Sequence, residues 1–261
     1  MHALVTGVSA GAGLLLGAEL EFVVERLEDR RTLDRPWWRC PSCATPYGGR
    51  AAVPMVSVVS LRRGCRSCHE RVAHPWRPLV LGVVSAVVLG AFAARIGDDV
   101  VLAAYAVFGL SMVAMSAVDL ERQIIPNRLV YFTLAVLVPL FVVASAVDDR
   151  WGSLARAAIA AAAAFVAFLA VHVAVPRGMG FGDVRLAGVV GLTTGWLGLG
   201  HTFVAFFAAF VLGALVGVVA MAVSGAGRKT RIPFGPFLAA GAVVAVLWGS
   251  PLAHALFHRG V

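Results

Sequence analysis

Long apolar runs recur along almost the whole chain, and they constrain the fold more than any other feature of the sequence. Of the 261 residues, 60% are hydrophobic and only 14% are charged. A helix of about 20 apolar residues crosses the hydrocarbon core of a bilayer. The sequence therefore predicts an all-α polytopic membrane protein with about eight transmembrane segments, at residues 3–24, 78–96, 100–118, 129–147, 157–175, 184–200, 202–223 and 236–257.

The sixth segment, 184–200, departs from the others because it is rich in glycine. It contains Gly188, Gly191, Gly195, Gly198 and Gly200. Glycine weakens a helix, and irregular backbone is tolerated at membrane depth only where protein or water surrounds it. We expect this segment either to span the membrane or to form a re-entrant or broken helix.

The basic residues divide unequally between the loops. The net charge is +8, but if the loops alternate sides, 18 of the 22 Lys and Arg residues fall on one side. The other side keeps Arg95, Arg150, Arg156 and Arg259. By the positive-inside rule the first side is cytoplasmic and both chain ends lie outside. Membrane orientation thus explains the positive charge, and we expect no nucleic-acid partner.

All four cysteines lie in the one sizeable polar stretch. Cys40-Pro41-Ser42-Cys43 and Cys65-Arg66-Ser67-Cys68 are two C-x-x-C pairs separated by 21 residues. Such pairs suit tetrahedral zinc, and a reducing cytoplasm favours metal over a disulfide. We expect a closed structural zinc site, with redox or disulfide pairing as the alternative. The expected domains are a first transmembrane helix at 1–24, a four-cysteine domain at 25–77 and a membrane domain at 78–261.

Two polar interruptions each place an aspartate at the edge of an apolar segment. Asp119 ends the third segment, and Asp183 precedes the sixth. A carboxylate near hydrocarbon is costly and marks a functional site by default. If the two meet, one pKa rises and the pair shares a proton, which is the arrangement that activates water in aspartic proteases. The alternative is that each aspartate caps a helix or pairs with an arginine.

The residues beside the two aspartates predict their local geometry. Pro126 cannot continue the preceding helix but can open the next, so it fixes Asp119 relative to the fourth segment. Gly180 and Gly182 allow close approach of a peptide to Asp183. We expect His172 to have a backbone partner, and the alanine-rich run 157–164 to pack against another helix.

Together these motifs resemble those of the type IV prepilin peptidases. The likeness covers almost the whole chain, including the paired cysteines. It is carried by Asp119 with Ile125-Pro126-Asn127, by Gly178-Met179-Gly180-Phe181-Gly182-Asp183, and by Ile232-Pro233-Phe234-Gly235-Pro236-Phe237-Leu238.

The resemblance implies a function and a location. Asp119 and Asp183 would be the catalytic pair of an intramembrane-edge aspartic endopeptidase. It would cleave prepilins or pseudopilins on the cytoplasmic side of the bacterial inner membrane, after a glycine that precedes an apolar helix. The lipid bilayer is the other expected partner.

Three stretches depart from the family pattern. Gly17-Ala18-Glu19-Leu20-Glu21, Ala51-Ala52 and Pro78-Leu79-Val80-Leu81 replace family motifs in the cysteine-bearing half. Many long members of the family also methylate the new amino terminus with S-adenosylmethionine, and here that activity stays an open alternative. The family's lysine after the second motif is Arg185, which we expect to support the site by steadying the shared charge or by binding acidic lipid.

Two other classes of function fit the same segments. A polytopic transporter or metal-responsive channel would use Asp119 and Asp183 to bind a cation, with the cysteines sensing zinc. A non-catalytic scaffold for a pilus or secretion assembly would tolerate alanine at both aspartates.

Overall fold

The protein is described by a computed structural model covering residues 2–28, 43, 45, 67–68, 76–97, 99–175, 179–224 and 233–257. Within these ranges the regular structure is entirely helical, and no strand occurs. Each predicted segment corresponds to one helix, except that segment 184–200 extends into the next. The helices are α1 (His2–Glu28), α2 (Arg77–Ile96), α3 (Leu102–Arg122), α4 (Asn127–Asp148), α5 (Trp151–Ala174), α6 (Phe181–Leu197), α7 (Leu199–Ser224) and α8 (Gly235–Phe257).

Seven of the helices in the described part of the chain are long and apolar enough to cross a membrane, and α6 is not among them. This helix has 17 residues. It ends at Leu197 because Gly198 adopts φ 151°, a conformation that side chains with a Cβ avoid, and α7 begins one residue later. The predicted segment 184–200 therefore runs past the helix end, and the break lies at Gly198.

The other glycines of α6 form a packing seam against α5. A Cβ built on Gly191 would lie 2.6 Å from the carbonyl oxygen of Ala160, and one on Gly195 would overlap the Ala160 side chain. Ala157 and Ala160 are fully or almost fully buried. Small residues on both helices thus let the two backbones approach closely, as the alanine-rich run predicted.

Neighbouring helices form three closely packed pairs: α1 with α2, α5 with α6, and α7 with α8. Helix α3 also contacts α1, α2, α4 and α8, and helix α6 contacts α4, α5, α7 and α8. Both helices that carry a candidate aspartate therefore have neighbours on several sides. Their carboxylates face protein more than the surroundings.

An aromatic core fixes the direction of α3 relative to α6. Tyr105 packs edge-on against Phe92 and Phe141, with ring centroids 6.0 and 6.1 Å apart, and Phe141 stacks on Trp196 at 5.0 Å. The buried Tyr105 hydroxyl donates to the carbonyl oxygen of Thr193 at 2.8 Å. The beginning of α3 thus lies beside the final part of α6. Gly182, in the first turn of α6, packs against Ile125, three residues after α3 ends. The two helices therefore run in opposite directions, and the end of α3 and the start of α6 share one end of the bundle.

Candidate active site

Asp119 is held in the last full turn of α3 by a contact from the far end of the sequence. The residue is 4% exposed, and its Oδ2 accepts a hydrogen bond from the backbone N–H of Gly235 at 2.8 Å. Gly235 is the first residue of α8, where free N–H groups favour an anion. A Cβ on Gly235 would lie 2.7 Å from the same oxygen, so only glycine leaves room for this contact.

Gly235 was not among the site residues that the sequence predicted. It stood in the motif Ile232–Leu238, which we interpreted as a rigid turn before the last helix. The signal that could have found it is a glycine at a helix start, because a helix N-terminus presents donors to a carboxylate.

Asp183 lies in the first turn of α6 and is half-buried. The N–H of Gly180 donates to its Oδ2 at 3.1 Å, and the N–H of Asp183 donates to the carbonyl oxygen of Gly180 at 3.1 Å. Asp183 thus caps its own helix, which was the alternative to a functional role. Burial, and then the charge of Asp119, raise the pKa of Asp183 to about 6, while the Gly180 hydrogen bond lowers it. Capping and a charge coupling to Asp119 therefore occur together.

Two contacts join the turn after Asp119 to the first turn of α6. Ile125 is buried against Gly182, where a Cβ would lie only 2.9 Å from the Ile125 Cβ. Arg185 donates to the side-chain oxygen of Asn127. Between these residues Pro126 is extended, and its carbonyl oxygen accepts the first hydrogen bonds of α4. Pro126 opens α4 as the sequence predicted.

Arg185 follows Asp183 by two residues on α6, and no ion pair joins it to either aspartate among the described residues. Its guanidinium carbon sits 4.4 Å from the centroid of the Phe181 ring and 5.8 Å from that of Tyr131. Together with the hydrogen bond to Asn127, these contacts place the guanidinium between α6 and α4. The expectation that Arg185 steadies the shared charge or binds acidic lipid stays a prediction.

His172 has the backbone partner that we expected. Its Nδ1 lies 2.8 Å from the carbonyl oxygen of Met179, which can only accept, so Nδ1 carries the proton. Its ring also packs on Phe181 at 5.6 Å. His172 therefore anchors the segment that leads into Asp183 to the end of α5.

An ion-paired arginine connects the N-terminal helices to the same end of α3. Arg77 opens α2 and is 8% exposed. It bonds Glu21 of α1 at 3.0 Å and Glu121 of α3 at 2.9 Å. Because Glu121 follows Asp119 by two residues, the three helices meet beside the candidate site.

Half of the predicted zinc ligands fall outside the described residues. Cys40 and Cys65 are not described, while Cys43 and Cys68 are both exposed. The thiol of Cys43 lies 3.3 Å from the hydroxyl of Thr45. In the described ranges no group of three or more potential ligands is assembled. The four-cysteine site therefore stays a prediction from the sequence.

Two family profiles match the chain, one on each side of residue 100. The Type IV leader peptidase family matches residues 106–218, which include Asp119 and Asp183. The Bacterial Peptidase A24 N-terminal domain matches residues 12–96, which include the four cysteines.

Three curated relatives share the same printed name, prepilin leader peptidase/N-methyltransferase. The Burkholderia pseudomallei (strain 1026b) protein is 32% identical over 87% of this chain and 72% of its own length. The Pseudomonas putida protein is 30% identical over 92% of this chain and 89% of its own length. The Bacillus subtilis (strain 168) protein is 29% identical over 92% of this chain and 93% of its own length. No solved structure gives a significant match.

Proposed function

Since the chain belongs to the Type IV leader peptidase family, we propose that it is an aspartic endopeptidase that removes the leader peptides of prepilins or pseudopilins. The observation that carries the mechanism is the position of Asp119 and Asp183 at one end of the bundle, close enough for one charge to shift the pKa of the other. Asp119 and Asp183 are the proposed catalytic residues.

The proposed mechanism uses one proton shared by two carboxyl groups. The ionised carboxylate takes a proton from water while the water oxygen attacks the peptide carbonyl carbon. The protonated carboxyl group donates its proton to the carbonyl oxygen. The tetrahedral intermediate then collapses, the C–N bond breaks, and the leaving nitrogen receives a proton. The raised pKa of Asp183 supports this scheme because it keeps a proton on the pair at a pH where a solvated aspartate has lost it.

The neighbouring residues support the pair in this scheme. Gly235 donates to Asp119 and leaves its other carboxylate oxygen free to meet water. Gly180 caps α6, while Gly182 and Pro126 set the approach of the two segments. The excess of basic residues on the same side of the membrane supports a cytoplasmic site, in the bacterial inner membrane, with both chain ends outside.

The four cysteines are the proposed ligands of a structural zinc ion. Two C-x-x-C pairs offer the four thiolates of a closed tetrahedral site, so the donor set of Cys40, Cys43, Cys65 and Cys68 fits the metal. Bound zinc would cross-link the two C-x-x-C pairs. It would have no open position for a substrate, and no catalytic step involves it.

Methylation of the new amino terminus is the remaining alternative, because the relatives' names include an N-methyltransferase. Of the departures from the family pattern, residues 17–21 and 78–81 lie in the described part, where Glu21 is ion-paired with Arg77 and Leu81 is buried. S-adenosylmethionine would supply the methyl group. We assign no residue and no step to that cofactor.

The decisive experiment is co-expression of the full chain with a prepilin precursor, followed by mass spectrometry of the product's amino terminus. We expect cleavage after a glycine by the unchanged chain, and uncut precursor with Asp119→Asn or Asp183→Asn. Any methyl group is read in the same spectrum. Asp149→Asn is the matched control, because Asp149 is exposed beyond the other end of α4 and its positive φ of 52° suits asparagine as well. Normal maturation of the precursor by the Asp119→Asn or the Asp183→Asn variant would rule out the mechanism.

A further inference from the structure

We propose that Arg185 is a positioning residue that acts through Asn127, holding the first turn of α6 against the turn that follows Asp119. This inference rests on the proposed function, because it concerns the geometry of the same two carboxylates. It assigns Arg185 a mechanical role in place of the electrostatic or lipid-binding role that its charge suggests.

The contacts of Arg185 reach from one helix to the other. The guanidinium donates to the side-chain oxygen of Asn127, the first residue of α4. It lies over the ring of Phe181, the first residue of α6, and near the ring of Tyr131, one turn further along α4. A planar guanidinium can donate at its edge while its face stacks on an aromatic ring. Arg185 thus joins α4 and α6 with a defined orientation.

The direction of the Arg185 side chain separates it from the aspartates. Residues two apart on a helix do not face each other, so Arg185 and Asp183 leave α6 on different sides. The contacts of Arg185 accordingly go to Asn127, Phe181 and Tyr131, and no ion pair joins it to either aspartate among the described residues. Arg185 therefore affects the pair through geometry.

The hydrogen bond between Arg185 and Asn127 complements the neighbouring apolar contact between Ile125 and Gly182. Ile125 against Gly182 sets how closely the two segments approach, but apolar packing is non-directional and permits rotation. The hydrogen bond from Arg185 to Asn127 fixes the rotation of α6 about its axis, and with it the direction of Asp183 towards Asp119. A lysine would keep the charge but offer neither the planar fork nor the stack.

A double-mutant cycle on the purified full chain, with one prepilin precursor as substrate, tests this role. We expect Arg185→Ala and Asn127→Ala each to lower kcat by about 10- to 100-fold, the scale of an ångström-sized misplacement, with little change in KM. The double variant should be no worse than either single variant, because both remove one contact. Arg185→Lys should recover part of the activity. Arg128→Ala, which removes a charge from an exposed position next to Asn127, is the control.

The pH profile distinguishes positioning from a direct effect on charge. If Asp183 moves away from Asp119, the repulsion between the two carboxylates weakens and the pKa of Asp183 falls. The fall of kcat/KM at high pH, which is the basic limb of the profile, then moves to lower pH. If Arg185 instead stabilised the ionised pair, its removal would raise that pKa and move the limb to higher pH.

Additive losses in the double-mutant cycle would overturn the inference, and so would a fall in kcat/KM that moves to higher pH. Cleavage by Arg185→Ala at the wild-type rate would do the same while leaving the proposed function intact. By contrast, no cleavage by the unchanged chain would reject the proposed function itself. Where Arg185→Ala does not fold, as judged by thermal unfolding, Asn127→Ala removes the same hydrogen bond with a smaller change and carries the test.

Discussion

Asp119 and Asp183 are held in different ways, and this difference gives each a distinct part in the proposed chemistry. Asp119 is almost fully buried and bonded to the start of a distant helix, whereas Asp183 is half-buried and bonded within its own first turn. The charge of Asp119 raises the pKa of Asp183. We therefore propose that the shared proton resides on Asp183 in the free enzyme, with Asp119 as the base.

The same observation predicts a pH dependence. A group whose pKa is raised from 3.8 to about 6 keeps its proton up to that pH and loses it above. We therefore expect kcat/KM, which reports the free enzyme, to fall as the pH rises above about 6. Initial rates on one prepilin precursor across a pH series measure this. A kcat/KM that stays level well above that pH would contradict the assignment of the proton to Asp183.

At the scale of helices, glycines decide which pairs approach most closely. Gly13 of α1 packs on the backbone of Ser85 in α2. Gly241 of α8 packs on α7, where a Cβ built on the glycine would lie 2.8 Å from the amide nitrogen of Ala209. Gly191 does the same between α6 and α5. Small residues let apolar helices gain dispersion energy where lipid offers no hydrophobic drive. Rigid helix pairs follow, and they give the candidate site fixed walls.

Gly182 is the close approach that matters for activity. In Gly182→Ala the new Cβ would lie 2.9 Å from the Cβ of Ile125, a stiff β-branched residue, so α6 must move away from the turn after Asp119. We expect kcat to fall by about 10- to 100-fold while the protein still folds. Steady-state kinetics and thermal unfolding in detergent measure the two effects.

Two further variants make the Gly182 prediction specific. Ile125→Ala combined with Gly182→Ala restores space, so part of the lost activity should return. Gly152→Ala is the control, since a Cβ there meets nothing within 4 Å. Full activity in Gly182→Ala alone would show that this contact does not set the distance between the carboxylates.

Across the whole molecule, the two parts matched by family profiles meet where α3 packs on α1 and α2, and an ion-paired arginine lies at this junction. Residues 12–96 contain α2 and most of α1, and residues 106–218 contain both aspartates. Arg77 joins them, because it bonds both Glu21 and Glu121. A buried pair that loses one partner is strongly destabilising, so this junction holds the parts together.

This arrangement predicts that the protein can lose zinc and still cleave its substrate. Cys40→Ser combined with Cys65→Ser removes two of four thiolates, so the zinc content of the purified full chain should fall from about one per chain to none. Cleavage of a prepilin precursor should persist, because the carboxylates lie in the other part. Metal analysis and the cleavage assay measure these together, with Cys→Ser variants compared to the unchanged chain. Unchanged zinc content would remove these cysteines as ligands.

The sequence by itself determined the helices, their apolar character and the two candidate aspartates. Helix formation and partition into a membrane depend on contiguous residues, so each run could be recognised without knowing its neighbours. The motifs around Asp119 and Asp183 also identified the family, because they are short and local. The glycines of the sixth segment also indicated that its helix could break. They did not indicate that the break would lie at Gly198.

Only the tertiary structure decided which side chains meet. Asp119 accepts its hydrogen bond from Gly235, 116 positions away, and Arg185 bonds Asn127, 58 positions away. Such contacts depend on which helix faces pack together and in which direction, and no single segment encodes that choice. The sequence placed a positive charge beside Asp183, but the helical angle between Asp183 and Arg185 turned it towards α4. Local periodicity thus specified the elements, while packing between distant elements specified the site.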